Sequence, residues 1–408
     1  MIMNKTLGST LLVSGTMIGG GMLAMPLTSA GIGFCLTLVL LVVLWILLTY
    51  SALLFVEVYQ TAEHDVGIGT LAARYFGKTG RVIATLVLMV FLYALLSAYV
   101  TGGGNILASM FPAAPDHLMT EKEKIAIVMF TIIFGAFIVF GTRSVDGINR
   151  FLFFIMLAGL ALVLFALMPF IQIDNLLAMP VDNLLLVSAS PIFFTAFGFH
   201  GSIPSLNNYL NGNVKALRFA IIVGSLITLM VYILWQMATH GLLSQTAFLD
   251  ILQKDPTLNG LVVATAQTTG SNIIGYIVKF FSAFALITSF LGVALGLFEC
   301  INDLLKQSFN FASNRLNVGL LTFSPPLLFA LFYPEGFVLA LRYAGQMFAF
   351  YAVVLPVLLV WKVRQLHPNL PYRVWGGNVL LWLVALLGIV ITCIPFMVKT
   401  GCLPTVVG

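Results

Sequence analysis

The stretch SGTMIGGGMLAMP, Ser14 to Pro26, places four glycines and a proline inside the first long apolar run of the chain. Backbone released from helical hydrogen bonds is tolerated at membrane depth only where it is buried in protein or lines a cavity. The stretch therefore predicts a spanning helix interrupted at mid-membrane, and an interruption there points to a ligand. Close helix packing is the other reading, because Gly15 and Gly19 form a small-xxx-small pair that lets two backbones touch. A second interruption, AFGFHGSIPSL from Ala196 to Leu206, occurs at the matching place of the later half and favours the cavity.

Of 408 residues, 60% are hydrophobic and 8% are charged, a balance that a water-soluble globule cannot bury. The expected class is an all-α membrane protein. A span needs about 20 apolar residues. Runs of that length lie near 6–28, 33–57, 81–109, 123–141, 150–171, 184–210, 216–239, 272–304, 317–333, 336–362 and 377–398, about eleven transmembrane helices in one domain over 1–408. The net charge of +5 resides in short loops and reads as a topology signal, so a lipid bilayer and not nucleic acid is the expected partner. Lys5 alone precedes the first run, which continues past any small-residue cleavage site and is therefore expected to be a retained span. Cys35, Cys300, Cys393 and Cys402 follow no ligand or disulfide spacing, and neither metal nor cofactor is expected.

An amino terminus in the cytoplasm puts Lys5, Arg74, Lys78, Arg81, Arg143, Arg150, Lys215, Arg218, Lys306, Arg315, Lys362, Arg364 and Arg373 on that side. Lys122, Lys124, Lys254 and Lys399 fall on the other. The excess fits the positive-inside rule, and an odd number of spans leaves the carboxyl terminus outside.

The spans divide into two groups with one plan, about 6–171 and 184–362, followed by an extra helix at about 377–398. In each group the first span is interrupted. The longest loop separates the second span from the third and carries an amphipathic stretch, GIGTLAARYFG (Gly67–Gly77) in one and SQTAFLDILQKDP (Ser244–Pro256) in the other. About five spans per group is an odd number, so the groups enter from opposite faces. This is a 5+5 inverted repeat, with substrate near the midplane between the two interrupted spans.

A half-helix that restarts after a break offers unpaired N–H groups and a positive dipole end to an anion. Gly19, Gly20 and Gly21 supply those donors with no side chain in the way. Carbonyls freed around Val13–Thr16 and Ala196–Phe197 suit an ammonium, so the pair of ends matches the zwitterionic head of an amino acid. Gly15, Thr16, Phe197, Gly198, Phe199, His200 and Gly201 complete the candidate site, with Tyr99 and Gln346 from the middles of two other spans. Phe193, Phe194, Tyr93, Phe348 and Phe350 add rings that could meet an aromatic side chain, although among 34 phenylalanines most simply pack or face lipid.

His200 lies inside the second break. It can donate to a ligand, change protonation during coupling from an unperturbed pKa of about 6.5, or cap freed carbonyls. Thr288 and Ser289 can bind sodium or substrate, or bond their own helix. Glu57, Glu299 and Asp303 stand toward span ends, as solvated termini or as proton carriers. Lys279 is deeper, and either snorkels to the interface or acts as a fixed cation. His64, His117, His240 and His367 read as loop or span-end residues, so no nucleophile with its base and no metal cluster lies at depth, and an enzyme is not expected.

Taken together, NKTLGS (Asn4–Ser9), SGTMIGGGMLAMP, FGFHGSIPSL (Phe197–Leu206), TSFLGVALGLFE (Thr288–Glu299) and FYPEGF (Phe332–Phe337) resemble the hydroxy and aromatic amino acid permeases. Members of that family import tyrosine or tryptophan in bacteria, and the likeness covers nearly the whole chain. The resemblance implies a leucine-transporter-like (LeuT-like) fold in the bacterial inner membrane and secondary active transport of tyrosine inward with a proton. A tryptophan or phenylalanine preference, or sodium coupling, is the alternative. It puts Gly15–Gly21 and Phe197–Gly201 at the centre of the substrate site. It likens Thr288 and Ser289 to a sodium-ligand pair, and makes Glu299 the acidic residue that ends its motif.

Overall fold

The first apolar run folds as two helices. α1 (Ile2–Met17) ends where Ile18 N–H donates to the Ser14 carbonyl, and α2 (Gly20–Ser29) restarts from Gly19. The segments Lys5–Met17 and Gly20–Ser29 are bent by 48°. The computed structural model in which this is seen describes residues 2–64, 66–111, 116–140, 142–309 and 314–406. The side chains of His117, Arg143 and Lys306, named above, lie outside the described residues.

α3 (Phe34–Tyr59), α4 (Ile68–Ser109), α5 (Asp116–Phe140) and α6 (Thr142–Leu167) follow. α4 turns at Gly77, whose φ of 67° lies in the left-handed region that glycine adopts without a Cβ penalty. The amphipathic stretch expected at Gly67–Gly77 thus forms the first turns of a long helix. The one-turn α7 (Ile173–Leu176) leads to the second interrupted segment, made of α8 (Leu185–Ala196), irregular backbone at 197–199, a 3-10 turn at His200–Ser202 and α9 (Ile203–Tyr209). α10 (Val214–Leu242) starts on the Asn213 side chain, which accepts from Ala216 N–H.

α11 (Gln245–Lys254) buries Phe248 and Leu252 along one face, as the amphipathic pattern at Ser244–Pro256 requires. The same connection also holds α12 (Leu258–Thr269), capped by Thr257 and closed by Gly270 at φ 63°. Its run is too short to register as a span, so the expected long loop is in fact largely helical. α13 (Asn272–Phe309), α14 (Arg315–Phe332), α15 (Phe337–Ala349), a π-helical turn at Phe350–Val354, α16 (Leu355–Leu366) and α17 (Gly377–Lys399) complete the chain.

Among the described residues the regular structure is all helical. Ten segments of the described residues are long and apolar enough to cross a membrane, and the bent α1–α2 pair makes an eleventh if it counts as one span. The chain is a multi-pass membrane protein.

Prolines show how the bundle is held together. A proline inside a helix leaves the carbonyl four residues back without its donor, and in a membrane a neighbouring group must answer it. Pro26 frees the Met22 carbonyl, which accepts from Trp235 Nε1 at 3.1 Å and so ties α2 to α10. Pro325 frees Leu321, and the Tyr93 hydroxyl reaches it at 2.8 Å from α4. Pro191 frees Val187, met at 2.7 Å by Ser190 of the same helix. Behind Pro356 the Ala352 carbonyl accepts from Ser51, which joins α3 to the π-helical turn. Against this frame α2 packs on α8, α10 and α13, and α15 packs on α4, α8 and α17.

Candidate functional site

The two breaks face each other. A Cβ added to Gly21 of α2 would lie 3.3 Å from the Cα of Ala196, the last residue of α8. Behind this contact stands Tyr232 of α10, fully buried, with its ring edge-on to Phe197 at 5.1 Å. Its hydroxyl lies 2.7 Å from the Met17 carbonyl and 2.6 Å from the Ala196 carbonyl, the final carbonyls of α1 and α8. A phenol has one hydrogen to give. Two acceptors at the negative ends of two half-helices therefore share one donor. The freed carbonyl of the first break is that of Met17, just beyond the expected Val13–Thr16 window, because α1 runs on to that residue.

At the restart, Gly20 N–H donates to Ser289 Oγ of α13 at 2.8 Å. A Cβ on Gly19 would collide with the same hydroxyl, and one on Gly20 would come within 2.8 Å of the Tyr99 ring. Glycine is needed here for close approach rather than for its φ. Gly15 serves a different purpose, since a Cβ there would come within 2.9 Å of Phe153 on α6. Thr16 is exposed and bonds the Leu12 carbonyl of its own helix at 2.7 Å. Thus Gly19, Gly20, Gly21 and Tyr99 gather at the break with Phe197, while Gly15 and Thr16 point elsewhere.

On the far side of the second break His200 is fully buried. Its Nε2 lies 3.3 Å from Ser51 Oγ. Ser51 also bonds the Ala352 carbonyl, so its oxygen is shared between the histidine and the neighbouring span. Nδ1 is buried and meets no partner in good hydrogen-bond geometry among the described residues. The imidazole sits among Phe199 at 4.8 Å, Phe348 at 5.3 Å and Phe55 at 6.2 Å between centroids. Phe348 stacks in turn on Phe91 at 4.9 Å and meets Phe194 edge-on at 5.5 Å. Of the expected rings Phe194, Phe199 and Phe348 join this cluster, with Gly198 beneath Phe348, while Tyr93 is turned to the Leu321 carbonyl of α14. Gly201 is exposed, and Gln346 is buried two residues before Phe348.

The two breaks thus bring half-helix ends of both polarities together, held by Ser289 and Tyr232. A sequence model of the tryptophan/tyrosine permease family matches residues 2–395. The chain belongs to that family. It is 68% identical to tyrosine-specific transport system 1 of Haemophilus influenzae over the full length of both chains, and 54% identical to tyrosine-specific transport system 2 of the same organism over the same extent. A tryptophan-specific transport protein of Haemophilus influenzae is 33% identical over 95% of this chain and 96% of its own. The protein is a transport permease, not an enzyme.

The permease distributes its coupling candidates unevenly. Glu57, read from sequence as a span-end carboxylate, is completely buried. Its oxygens take a fork-to-fork pair from Arg364 of α16, Nε at 2.7 Å and Nη2 at 2.9 Å, and a further bond from Val374 N–H at 2.8 Å. The solvated-terminus reading fails because the partner lies 307 positions away in sequence. Lys279 gives its ammonium to the Ser109 carbonyl at 3.0 Å, capping the end of α4. Thr288 bonds the Phe284 carbonyl of its own helix at 2.9 Å, so that only Ser289 of the pair reaches the break. Glu299 lies exposed on α13. His240, expected at a span end, is buried, with Nε2 2.8 Å from Ser29 Oγ, and Gln236 donates to the same oxygen at 3.2 Å.

Tyr232, Trp235 and Ser51 of the permease were not singled out by the sequence. The signal that marks Trp235 and Ser51 is indirect. A proline in an apolar span requires a donor from a neighbour, and few side chains at that depth can provide one.

Proposed function

We propose that this permease is a secondary active transporter that imports tyrosine across the bacterial inner membrane in symport with a proton, by alternating access around the two breaks. The observation that carries the reading is the meeting of Gly21 with Ala196, which sets the restart of α2 beside the ends of α1 and α8. The carbonyls of Met17 and Ala196 suit the ligand's ammonium, and the positive end of α2, where Ser289 Oγ holds the Gly20 amide, suits its carboxylate. The rings around Phe348 suit an aromatic side chain. Relatives named as tyrosine-specific at 68% and 54% identity favour tyrosine over tryptophan or phenylalanine.

The corresponding architecture is a LeuT-like 5+5 inverted repeat over about 6–171 and 184–362, with the helix at 377–398 outside it. The charge asymmetry supports a cytoplasmic amino terminus and a periplasmic carboxyl terminus. His200 supports proton coupling, because it is a titratable ring fully buried beside the second break. Thr288 and Ser289 direct their hydroxyls to different neighbours, which argues against a shared sodium ligand pair.

Uptake of labelled tyrosine into proteoliposomes tests the reading. Accumulation is expected under an inward proton gradient without sodium, with unlabelled tryptophan a weak competitor. Accumulation driven by sodium alone, or stronger transport of tryptophan, would replace it with one of the alternatives.

A further inference from the structure

Tyr232 holds a position that the transport cycle has to account for. Its hydroxyl is within 2.7 Å of the Met17 carbonyl and 2.6 Å of the Ala196 carbonyl, so one side chain of α10 closes on the ends of both interrupted helices at once. Both acceptors are in the protein interior, and an unanswered carbonyl there costs the desolvation of a polar group. One phenolic hydrogen cannot fully satisfy both. An ammonium, with its three hydrogens and a full positive charge, answers both and gains from the negative dipole ends of α1 and α8. Phe197, edge-on to the ring at 5.1 Å, fixes the phenol within reach of the pair.

We infer that Tyr232 and the ammonium group of the substrate use the Met17 and Ala196 carbonyls in turn, and that Tyr232 is the positioning residue that lets the unloaded carrier return. The inference rests on the substrate site proposed above. When the ammonium is bound, the two carbonyls are satisfied by ligand and the phenol is dispensable. When the ligand departs, the phenol supplies the one side-chain hydrogen-bond link between the two breaks among the described residues, and without it two buried helix ends would have to reorient unpaired. The loaded and unloaded halves of the cycle should therefore respond differently to loss of one oxygen atom.

Tyr232→Phe keeps the ring and removes that oxygen. In proteoliposomes containing the full-length permease, exchange of external labelled tyrosine for internal unlabelled tyrosine uses only the loaded carrier, whereas net uptake also needs the unloaded return. The variant is expected to keep exchange near the wild-type rate while net uptake falls about tenfold, the rate equivalent of leaving one buried acceptor without its donor. The half-saturating tyrosine concentration should fall, because a competitor for the carbonyls is gone. Equal loss of exchange and net uptake, or no change in either, would overturn the inference, as would failure to recover a folded variant, since the oxygen would then belong to the fold. A wild-type permease that neither exchanges nor accumulates tyrosine would instead contradict the proposed function.

Discussion

Ser51 Oγ lies 3.3 Å from His200 Nε2 and passes its own hydrogen to the Ala352 carbonyl, the one that Pro356 leaves without a helical donor. A single hydroxyl thus meets the histidine and seals a weak point in the neighbouring span. Ser51→Ala leaves both groups unpaired in the interior, at a cost of about 1–3 kcal/mol for each unsatisfied group. The midpoint of thermal unfolding in detergent should drop and tyrosine uptake should fall with it. An unchanged midpoint would remove Ser51 from its assigned place.

The pair of Glu57 and Arg364 joins α3 to α16 and, through Val374 N–H, holds the segment that leads into α17. Removing one partner of a buried ion pair costs about 3–5 kcal/mol, because the other charge is left without a counter-ion. Glu57→Gln and Arg364→Met should each lower the unfolding midpoint sharply, and the double variant should recover part of the loss. If the double variant is as unstable as the sum of the two, the charges do not act as a pair.

Trp235 and Pro26 make a cleaner cycle. Trp235→Phe removes the donor to the Met22 carbonyl and should destabilise by about 1–3 kcal/mol. In a Pro26→Ala background the helix supplies its own N–H to that carbonyl, and the same Trp235→Phe change should cost measurably less. Equal costs in the two backgrounds, read from denaturation curves, would show that the indole does not compensate for the proline.

Much of this structure can be read in the chain because bilayer chemistry leaves few options. Long apolar runs become spans, and the glycines at 19–21 and the Phe197–Gly201 stretch mark the breaks. Local pattern stops short where a partner is distant. Glu57 looks like a span-end carboxylate until Arg364 is brought to it from the far end of the chain, and His240 looks peripheral until Ser29 and Gln236 enclose it. Tyr232 is hidden for a related reason. A tyrosine on an apolar helix reads as packing, and only the convergence of α1 and α8 gives its hydroxyl two acceptors. Gly15 shows the converse, a glycine in the decisive motif that makes room for Phe153 rather than for a ligand.

The account depends on a ligand seating against the Gly19–Gly21 restart of α2, between the two breaks. Equilibrium binding of labelled tyrosine to the purified protein tests this most directly, with wild type compared to Gly20→Leu, whose added side chain would enter from a point 2.8 Å from the Tyr99 ring. Saturable binding to the wild type and a loss of at least about tenfold in affinity in a variant that remains folded, equivalent to about 1.4 kcal/mol, is the predicted result. Binding of equal strength to both proteins would contradict it.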